Sequence, residues 1–512
     1  MATTLCSLFI ESAERFPDRE AIVLGDSRIN YQTLSFWAES IAVYLREHGL
    51  NKGDRVAVLV QNSLEYAAIY YGVLAAGGVV IGLNTANKAR DLVNLVRHSD
   101  ASWLFAESGH PELKPLLQVI GSDINVVEVG EPRLNGEVPS HINLTEILRH
   151  EHGGLRDPEA VTGNDLAAII YTSGTTGHPK GVMLSHQNLF ENIRSILEYL
   201  ELQYTDSILN VLPFYYSYGN SVLHTHLAVG GKIVLENSML YPHRVMERLV
   251  EEKVSGFSGV PSTFALLLNR TKLEDYDLSS IRYLTQAGGA MAPTSIKRLR
   301  KLVPKAEFLV MYGQTEASAR LSYLPSDRLE EKMGSIGIPI PGVTLDIRGE
   351  DGRPLVSGET GEIWASGDNI MQGYWKDPEM TATVLQDGWL KTGDLAYRDE
   401  DGFIYIVGRS SEMIKSGAHR ISPKEIEEVI LELDGIEEVA VLGVSDELLG
   451  QVIKAVIVVD RKKAPDKRAL QAHCHKNLAS YKIPKLVDFV DEIPKTASGK
   501  VRRFMLQEKA VE

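Results

Sequence analysis

The chain contains 512 residues, more than one hydrophobic core usually supports, so at least two domains are expected. Apolar residues make up 44% and charged residues 24%, which is ordinary for a globular protein. The chain has 53 Lys and Arg residues and 68 Asp and Glu residues, which gives a net charge of −15 at pH 7. This balance argues against nucleic acid or an anionic membrane as a partner, but it leaves room for a local basic pocket that binds an anionic nucleotide.

Cysteine usage and charge distribution predict a cytoplasmic protein. Only Cys6 and Cys474 are present, too few for a disulfide framework, and the first residues lack the basic and apolar segments of a signal peptide. Tyr66–Asn87 and Ser207–Gly231 contain no Asp, Glu, Lys or Arg, yet glycine or proline residues interrupt both. We therefore predict helix, turn and buried strand in each, without stable membrane insertion.

Apolar patterning predicts a layered α/β fold in the first three quarters of the chain. Arg55–Val60 and Leu166–Tyr171 are short apolar runs typical of buried parallel strands, whereas Gln187–Leu200 has helical spacing. Alternation of such segments indicates helices packed on parallel sheets.

The pattern changes after Asp394. Ser422, Pro423 and Glu425 supply an N-cap, a proline at the first helical position and a capping-box glutamate, which together predict a helix start. Three later runs are typical of strands: Val439–Val444, Ile453–Val459 and Val487–Val490. These signals indicate a second, smaller α+β unit.

The patterns divide the chain into two domains joined by a short polar segment. We predict a large layered α/β domain over residues 1–408 and a hinge over residues 409–411. A small, mobile α+β domain is predicted over residues 412–512.

The segment Tyr171–Gly181 has the composition of a phosphate-binding loop. Small residues let backbone N–H groups approach an anion, hydroxyl groups donate further hydrogen bonds, and a lysine adds positive charge. It is not a Walker loop, because Lys180 follows Pro179 and precedes a glycine. We predict that a polyphosphate binds to Thr172, Ser173, Gly174, Thr175, Thr176, Gly177 and Lys180.

This loop resembles the phosphate loop of the adenylate-forming superfamily, which includes acyl-CoA synthetases, peptide-synthetase adenylation domains and firefly luciferase. Further segments resemble the family's motifs and follow in the family's order over nearly the whole chain. They are Gly288-Gly289-Ala290, Tyr312-Gly313-Gln314-Thr315-Glu316, Thr392-Gly393-Asp394, Gly408-Arg409 and Pro494–Lys500. The chain is therefore identified as a member of the acyl-activating branch.

The resemblance implies a role for each nucleotide-binding motif. Gly288-Gly289-Ala290 would flank the adenine, and Tyr312 would stack on it. Asp394 would accept hydrogen bonds from both ribose hydroxyls, since one carboxylate can do so, and Arg409 would contact the ribose. Glu316 would hold Mg²⁺ as a hard oxygen ligand, together with Thr175.

The resemblance also implies two half-reactions. The acid would attack the α-phosphorus of ATP to give acyl-AMP and pyrophosphate, and a thiol would then displace AMP. Lys500 would be the catalytic lysine of the first half, while Lys180 would hold the leaving phosphates. The small domain would then rotate and bring Lys415, Ser416 and Gly417 beside the thiol. Many family members have Asp or Lys at the pivot position, where this chain has Ser411.

The segment Phe214–Gly219 is where family members contact the acid. It contains no carboxylate to hold an α-ammonium group, so an amino acid is not the expected substrate. Tyr216 stands where many acyl- and aryl-CoA ligases have a histidine. With Tyr218 and Gly219 it suits a fatty or aryl tail, although ordinary core packing is the alternative. His224 and His226 could line the same pocket or belong to the core.

Coenzyme A is the acceptor that the resemblance favours. The pantetheine arm of an acyl carrier protein is the alternative, because it offers the same thiol. A kinase or P-loop ATPase would instead release ADP or phosphate, and the absent Walker pattern argues against both. The sequence leaves a homodimer open.

Overall fold

The computed structural model of the chain describes residues 4–121, 123–134, 141–149, 161–172, 180–416, 419–446, 450–460, 464–495 and 501–507. Helices and strands alternate along most of this length. The predicted fold class is confirmed, because a large N-terminal α/β domain precedes a smaller C-terminal domain.

The strands within these ranges are β1 (Glu20–Leu24), β2 (Ser27–Asn30), β3 (Arg55–Leu59), β4 (Val79–Gly82), β5 (Ala101–Glu107), β6 (Asn125–Val129), β7 (His141–Asn143), β8 (Leu166–Thr172), β9 (Lys180–Ser185), β10 (Ser207–Asn210), β11 (Lys232–Leu235), β12 (Gly256–Gly259), β13 (Tyr283–Gln286), β14 (Glu307–Tyr312), β15 (Ser322–Leu324), β16 (Ile338–Pro339), β17 (Val343–Arg348), β18 (Gly361–Gly367), β19 (Gly373–Tyr374), β20 (Leu385–Gln386), β21 (Trp389–Arg398), β22 (Ile404–Arg409), β23 (Ile414–Ser416), β24 (His419–Ile421), β25 (Ile436–Asp446), β26 (Gly450–Val459) and β27 (Leu486–Phe489).

The helices are α1 (Leu5–Arg15), α2 (Tyr31–Glu47), α3 (Leu64–Ala75), α4 (Ala89–Ser99), α5 (Leu113–Ile120), α6 (Leu144–Ile147), α7 (His186–Leu200), α8 (Ser217–Val229), α9 (Pro242–Glu251), α10 (Pro261–Arg270), α11 (Pro293–Leu302), α12 (Pro378–Val384), α13 (Pro423–Leu431), α14 (Lys467–Asn477) and α15 (Arg503–Gln507).

Two large sheets form the N-terminal domain. Within the described residues, one has nine strands in the order β16-β15-β14-β13-β12-β10-β11-β1-β2, and the other has eight in the order β19-β9-β8-β4-β3-β5-β6-β7. The central strands of both sheets run parallel. The largest hydrophobic core joins side chains from both sheets with side chains from α1, α2, α3, α7 and α8.

The strand β3 shows why a continuous apolar run predicts a buried strand. Val56 and Val58 pack in the core that both large sheets share, whereas Ala57 and Leu59 pack in a separate core with α4 and α5. Successive side chains of a strand point to opposite faces, so a sheet covered on both faces needs apolar residues at every position. The strand predicted over Arg55–Val60 is confirmed.

The two uncharged stretches fold as the sequence predicts. Tyr66–Asn87 contains most of α3, a turn at Gly77 and the strand β4. Ser207–Gly231 contains β10 and α8, and Gly230, with φ of 80°, caps the end of α8. No helix in the described part of the chain is long and apolar enough to cross a membrane.

In the described part of the chain two smaller sheets follow. The strands β17, β18, β20, β21 and β22 form one of them, and β21 pairs with β22 as a hairpin. The strands β23 to β27 form the sheet of the C-terminal domain, against which α13 and α14 pack. The predicted N-cap and first-position proline of α13 are confirmed, because the Ser422 side chain accepts a hydrogen bond from the backbone N–H of Glu425 and Pro423 begins the helix. The Glu425 carboxylate, predicted to complete a capping box, instead accepts hydrogen bonds from Lys482 Nζ at 2.5 and 2.7 Å.

The buried His186 is expected to make the stability of the N-terminal domain depend on pH. His186 is 1% exposed, and its Nδ1 accepts a hydrogen bond from the backbone N–H of Leu5 at 3.3 Å. Burial lowers the pKa of His186 to about 4. The unfolded chain binds a proton near pH 6.5, so stability from this group is full above that pH and is lost as the pH falls toward 4.

We expect H186Q to weaken this pH dependence. Between pH 7 and pH 5 the native chain should lose more stability than H186Q, with a difference of up to about 1.4 kcal/mol per pH unit. The measurement is the urea midpoint of both proteins at each pH. Parallel midpoints over this range would contradict the assignment.

Candidate active site

The hairpin of β21 and β22 brings the two predicted ribose-contacting residues together and places them beside the predicted adenine-stacking tyrosine. Asp394 and Arg409 face each other across the two strands, and Arg409 Nε donates to Asp394 Oδ1 at 3.0 Å. The Tyr312 hydroxyl, at the end of β14, donates to Asp394 Oδ2 at 2.6 Å. Each carboxylate oxygen keeps a further lone pair, so the cluster can still accept hydrogen bonds from a diol.

Burial and the negative charge of Asp394 determine the pKa shifts within this cluster. Asp394 is 4% exposed, whereas the Arg409 side chain is 45% exposed. Burial and the Asp394 charge raise the pKa of Tyr312, so it remains a hydrogen-bond donor. The same carboxylate raises the pKa of Arg409. Arg409 can therefore reach a ligand from the solvent side while Asp394 stays fixed below it.

A second cluster joins Glu316 to Lys180 through a residue that sequence analysis missed. The Tyr374 hydroxyl donates to Glu316 Oε1 at 2.9 Å. Lys180 Nζ lies 5.3 Å from the centroid of the Tyr374 ring, within the range of a cation–π contact. Burial and then the Glu316 charge raise the pKa of Tyr374. One tyrosine thus links the predicted phosphate lysine to the predicted metal ligand.

Tyr374 reaches this position through pairing between residues distant in sequence. The two-residue strand β19 pairs with β9, which places Tyr374 opposite Val182, near Lys180. Gly373 has φ of 140°, and a Cβ there would come within 2.8 Å of Thr381 Cγ2. The sequence marks this strand only by the Gly373-Tyr374 pair, which precedes the helix α12 that begins with a proline. This signal does not identify β9 as the strand with which Tyr374 pairs.

We expect Y374F to lower kcat/KM for ATP by about 10- to 100-fold, because it removes a hydrogen bond to a carboxylate but keeps the ring under Lys180. Y405F is a matched control, since the Tyr405 hydroxyl donates to Asp399 Oδ2 at 3.4 Å outside this cluster. Initial rates at varied ATP concentration measure both. Equal, small changes in the two variants would argue against a role for Tyr374 at the site.

The predicted phosphate loop is described only at its ends. Thr172 closes β8 and Lys180 opens β9, and the two residues pair directly across these antiparallel strands. Thr172 and Lys180, which were predicted within the loop, instead belong to strands, because backbone pairing continues the sheet to both residues. Ser173, Gly174, Thr175, Thr176 and Gly177 lie outside the described residues, as do Gly417 and Lys500.

The remaining nucleotide motifs lie at the carboxyl ends of neighbouring parallel strands. Gly288, Gly289 and Ala290 follow β13 and are exposed, and Gln286 Nε2 donates to the Gly289 carbonyl at 2.7 Å. Gly313, Gln314 and Thr315 follow β14. Within the described residues, the buried Gln286 Oε1 and Gln314 Nε2 have no hydrogen-bond partner. An acceptor and a donor thus remain available beside the segments that resemble adenine contacts.

The predicted acid-binding residues lie at the start of α8. Tyr216 is its N-cap residue, and the Asn84 side chain donates to the Tyr216 hydroxyl at 3.4 Å. The Ser217 hydroxyl contacts the Thr315 hydroxyl at 3.2 Å, which connects α8 to the nucleotide motifs. A Cβ on Gly219 would lie 2.2 Å from the Pro213 carbonyl oxygen, so close packing explains this glycine.

Further along α8, residues Ser221 to His226 line a small cavity of about 10 Å³ between α7, α8 and the strands β12 to β14. His226 lines it, and its Nε2 contacts the Tyr283 hydroxyl at 2.7 Å. His224 instead belongs to the core, where its Nδ1 contacts the Tyr71 hydroxyl at 2.7 Å. Arg320 lines the same cavity.

Lys415 and Ser416 lie on β23 of the C-terminal sheet. The Lys415 backbone N–H donates to Gln451 Oε1 at 2.7 Å. Among the described residues, no hydrogen bond or ion pair joins either of them to Asp394 or Arg409. Their predicted role beside a thiol stays a prediction.

Two protein-family models match this chain, one in each of its domains. Residues 9–375 match the model of the AMP-binding enzyme family, and residues 425–500 match that of the AMP-binding enzyme C-terminal domain. A long-chain-fatty-acid–CoA ligase of Bacillus subtilis is 33% identical, over 99% of this chain and 95% of its own length. A feruloyl-CoA synthase of an Amycolatopsis species is 33% identical, over 96% of each chain.

Solved structures show the same fold. The o-succinylbenzoate–CoA synthetase of Bacillus subtilis, in complex with its acyl-adenylate intermediate, gives a TM-score of 0.85 at 28% identity and covers 98% of this chain and 97% of its own. ATP-bound MatB from Rhodopseudomonas palustris gives 0.88 at 28% identity, with 99% of both chains covered.

The chain belongs to the AMP-binding enzyme family. The predicted membership of the adenylate-forming superfamily is confirmed by both family models and these relatives. The predicted enzyme class, an AMP-forming ligase that joins a carboxylic acid to a thiol, is confirmed as well. The alternative acceptor, a carrier protein, is not favoured by relatives that are named as CoA ligases.

Proposed function

We propose that this chain activates a carboxylic acid with ATP and transfers the acyl group to coenzyme A. The observation that carries the proposal is the buried Asp394 carboxylate held between Tyr312 and Arg409. It offers lone pairs for a ribose beside two further clusters suited to phosphate and adenine. Relatives named as ligases for fatty and aryl acids support the acid class.

The residues of the site would have separate roles in acid adenylation. Lys180 and Thr172 lie side by side at the entry to the predicted phosphate segment, where a positive charge and a hydroxyl would contact the leaving phosphates. Gln286 and Gln314 would supply the acceptor and donor for the adenine edge. Fixed donors and charges of this kind stabilise the negative charge that grows as pyrophosphate leaves.

Glu316 suits the predicted magnesium site. Its Oε1 accepts the hydrogen bond from Tyr374, which leaves Oε2 as a hard oxygen ligand. Thr175, the second predicted ligand, lies outside the described residues. A bound Mg²⁺ would neutralise phosphate charge. The protein's own contribution is to orient the Glu316 carboxylate toward the Lys180 side of the site.

Lys500 remains the proposed catalytic lysine of the first half-reaction. On either side of its segment, Lys495 and Val501 pair as an antiparallel bridge. Burial raises the pKa of Tyr216 at the acid-binding helix end, and the positive charge of Arg502 opposes this effect, so the two side chains lie within electrostatic range. These neighbours support the placement of Lys500 between acid and nucleotide.

The proposed hinge coincides with a short turn. Residues Ser410–Glu412 form one turn of 3-10 helix directly after Arg409. Across it, Lys424 Nζ donates to the Ile406 carbonyl at 2.8 Å, and the Ser422 hydroxyl donates to the Val407 carbonyl. Rotation of the small domain about residues 409–411 would break both hydrogen bonds, so they would hold the present orientation.

Product analysis tests the proposal. The protein is incubated with ATP, Mg²⁺, a panel of fatty and aryl acids, and either coenzyme A or acyl carrier protein. Mass spectrometry should detect AMP together with an acyl-CoA. Formation of ADP, or acylation of the carrier protein without acyl-CoA, would contradict it.

A further inference from the structure

The turn that follows Glu316 contains a backbone conformation that serine rarely adopts. Ser318 has φ of 64° and ψ of −41°, and the Ala319 backbone N–H donates to the Ala317 carbonyl at 2.7 Å. A hydrogen bond between residues two positions apart, with these dihedral angles between them, defines a γ-turn of the rare and strained kind. Such a conformation persists only where surrounding contacts hold it, and it is more frequent at functional sites than elsewhere.

Asn369 makes the contacts that hold this turn. Its Nδ2 donates to the Ala317 carbonyl at 3.2 Å and to the Arg320 carbonyl at 3.0 Å. Its own backbone carbonyl accepts a hydrogen bond from the Ser318 hydroxyl at 2.8 Å. Asn369 and Ser318 are each 2% exposed, so water does not compete for these hydrogen bonds. One asparagine therefore binds the strained residue and the chain on both sides of it.

The amide of Asn369 is oriented for donation. In the described part of the chain its buried Oδ1 has no hydrogen-bond partner. An unpaired buried amide oxygen is unfavourable, and an apolar side chain of the same size would avoid this penalty. The asparagine is therefore explained by its two donated hydrogen bonds and not by packing alone.

The segment that contains Asn369 also contacts Glu316 directly. The Met371 backbone N–H donates to the Glu316 carbonyl at 2.9 Å, and the Tyr374 hydroxyl donates to Glu316 Oε1 at 2.9 Å. The same segment continues into β19, which pairs with β9, the strand that begins at Lys180. The backbone and the carboxylate of Glu316 are thus both fixed by one segment, which also reaches the proposed phosphate lysine.

We propose that Asn369 is a positioning residue for the nucleotide site, because it holds the strained turn at Ser318 and so keeps the Glu316 carboxylate in place. The inference rests on the proposed function, in which Glu316 is a magnesium ligand. Without Asn369, Ser318 would relax to a negative φ, and the change in chain direction would shift Glu316 relative to Tyr374. Asn369 itself would touch neither the substrate nor the metal.

Calorimetric titration with ATP, in the presence of Mg²⁺ and in the presence of EDTA, tests the inference without requiring turnover. N369L keeps the approximate size of the side chain but removes both donated hydrogen bonds. We expect N369L to weaken ATP binding about 10-fold with Mg²⁺ and to leave binding in EDTA nearly unchanged, because only the former depends on Glu316.

Asn192 provides a matched control. It is also 2% exposed, and its Nδ2 donates to the same Arg320 carbonyl at 3.0 Å. No hydrogen bond in the described part of the chain joins the Asn192 side chain to Ala317 or Ser318. N192L should therefore lower the urea midpoint, as N369L does, and keep the native effect of Mg²⁺ on ATP binding.

Two smaller changes at Ser318 test the role of strain even if N369L does not fold. S318A and S318G both remove the hydroxyl that binds the Asn369 carbonyl, but glycine adopts a positive φ without a steric penalty. We expect S318A to weaken Mg²⁺-dependent ATP binding about 3- to 5-fold, and S318G to weaken it less. A loss in S318G as large as that in S318A would overturn the inference.

The asparagine variants give further outcomes that decide the matter. The inference is overturned if N369L keeps the native effect of Mg²⁺, if it loses affinity equally in EDTA, or if N192L loses the effect as well. The native chain tests the proposed function separately. ATP affinity that does not depend on Mg²⁺ in the native chain would contradict the proposed magnesium site, and the inference with it.

Discussion

Replacing Lys500 with alanine is expected to lower acid adenylation by about 100- to 1,000-fold, while thioester formation from supplied acyl-AMP largely survives. The first half-reaction brings a carboxylate toward an anionic phosphate, and a cation at this position offsets their repulsion. The second half-reaction joins a thiol to an acyl group that is already activated, and the proposed rotation moves Lys500 away. We therefore expect K500A to slow the first half-reaction and to leave the second largely unchanged.

Lys495 provides a matched control for this experiment. It lies in the same C-terminal segment, but Lys495 Nζ pairs with Glu438 Oε1 at 2.5 Å on the small domain. K495A should leave both half-reactions close to those of the native chain. Single-turnover assays that start from acid plus ATP, or from acyl-AMP plus coenzyme A, separate the two steps. Equal losses in both steps for K500A would contradict the proposed division.

The second large effect is expected from D394N, which should reduce kcat/KM for ATP by about 100-fold and slow both half-reactions. The substitution keeps the size of the side chain, but it removes the charge that organises Tyr312 and Arg409. The AMP moiety is bound in both half-reactions, so D394N should slow both of them. This distinguishes D394N from K500A.

Folding of D394N should survive, because the Arg409 side chain is 45% exposed and remains solvated when its partner is lost. The control is D346N, in the same small sheet, where Asp346 Oδ2 accepts from Arg348 Nε at 3.0 Å away from the Asp394 cluster. Calorimetric titration with ATP compares the variants. Equal ATP affinities of D394N and D346N would contradict a role for Asp394 in nucleotide binding.

Local signals in the sequence predicted the elements well. The run Arg55–Val60 specifies a strand buried on both faces, and Ser422 with Pro423 specifies a helix start, because both depend on adjacent residues. The motif residues Tyr312, Asp394 and Arg409 were predicted as one site and do meet. That success depended on the resemblance, since spacing alone would not bring them together.

Pairing between distant segments explains what sequence analysis missed. Tyr374 joins the site through β19, a strand of two residues that pairs with β9 across the chain. Thr172 and Lys180 were predicted within a loop, yet they pair in antiparallel strands. Arg320 gave no signal of its burial, because a single arginine among alanine, serine and leucine residues is as typical of an exposed segment.

The central claim is that this chain forms acyl-AMP from ATP and a carboxylic acid. The most direct measurement is the acid-dependent exchange of labelled pyrophosphate into ATP, without coenzyme A, over a panel of fatty and aryl acids. The account predicts exchange that requires an acid and is about 100- to 1,000-fold slower in K500A. Absence of exchange with every acid, or exchange that continues without any acid, would contradict it.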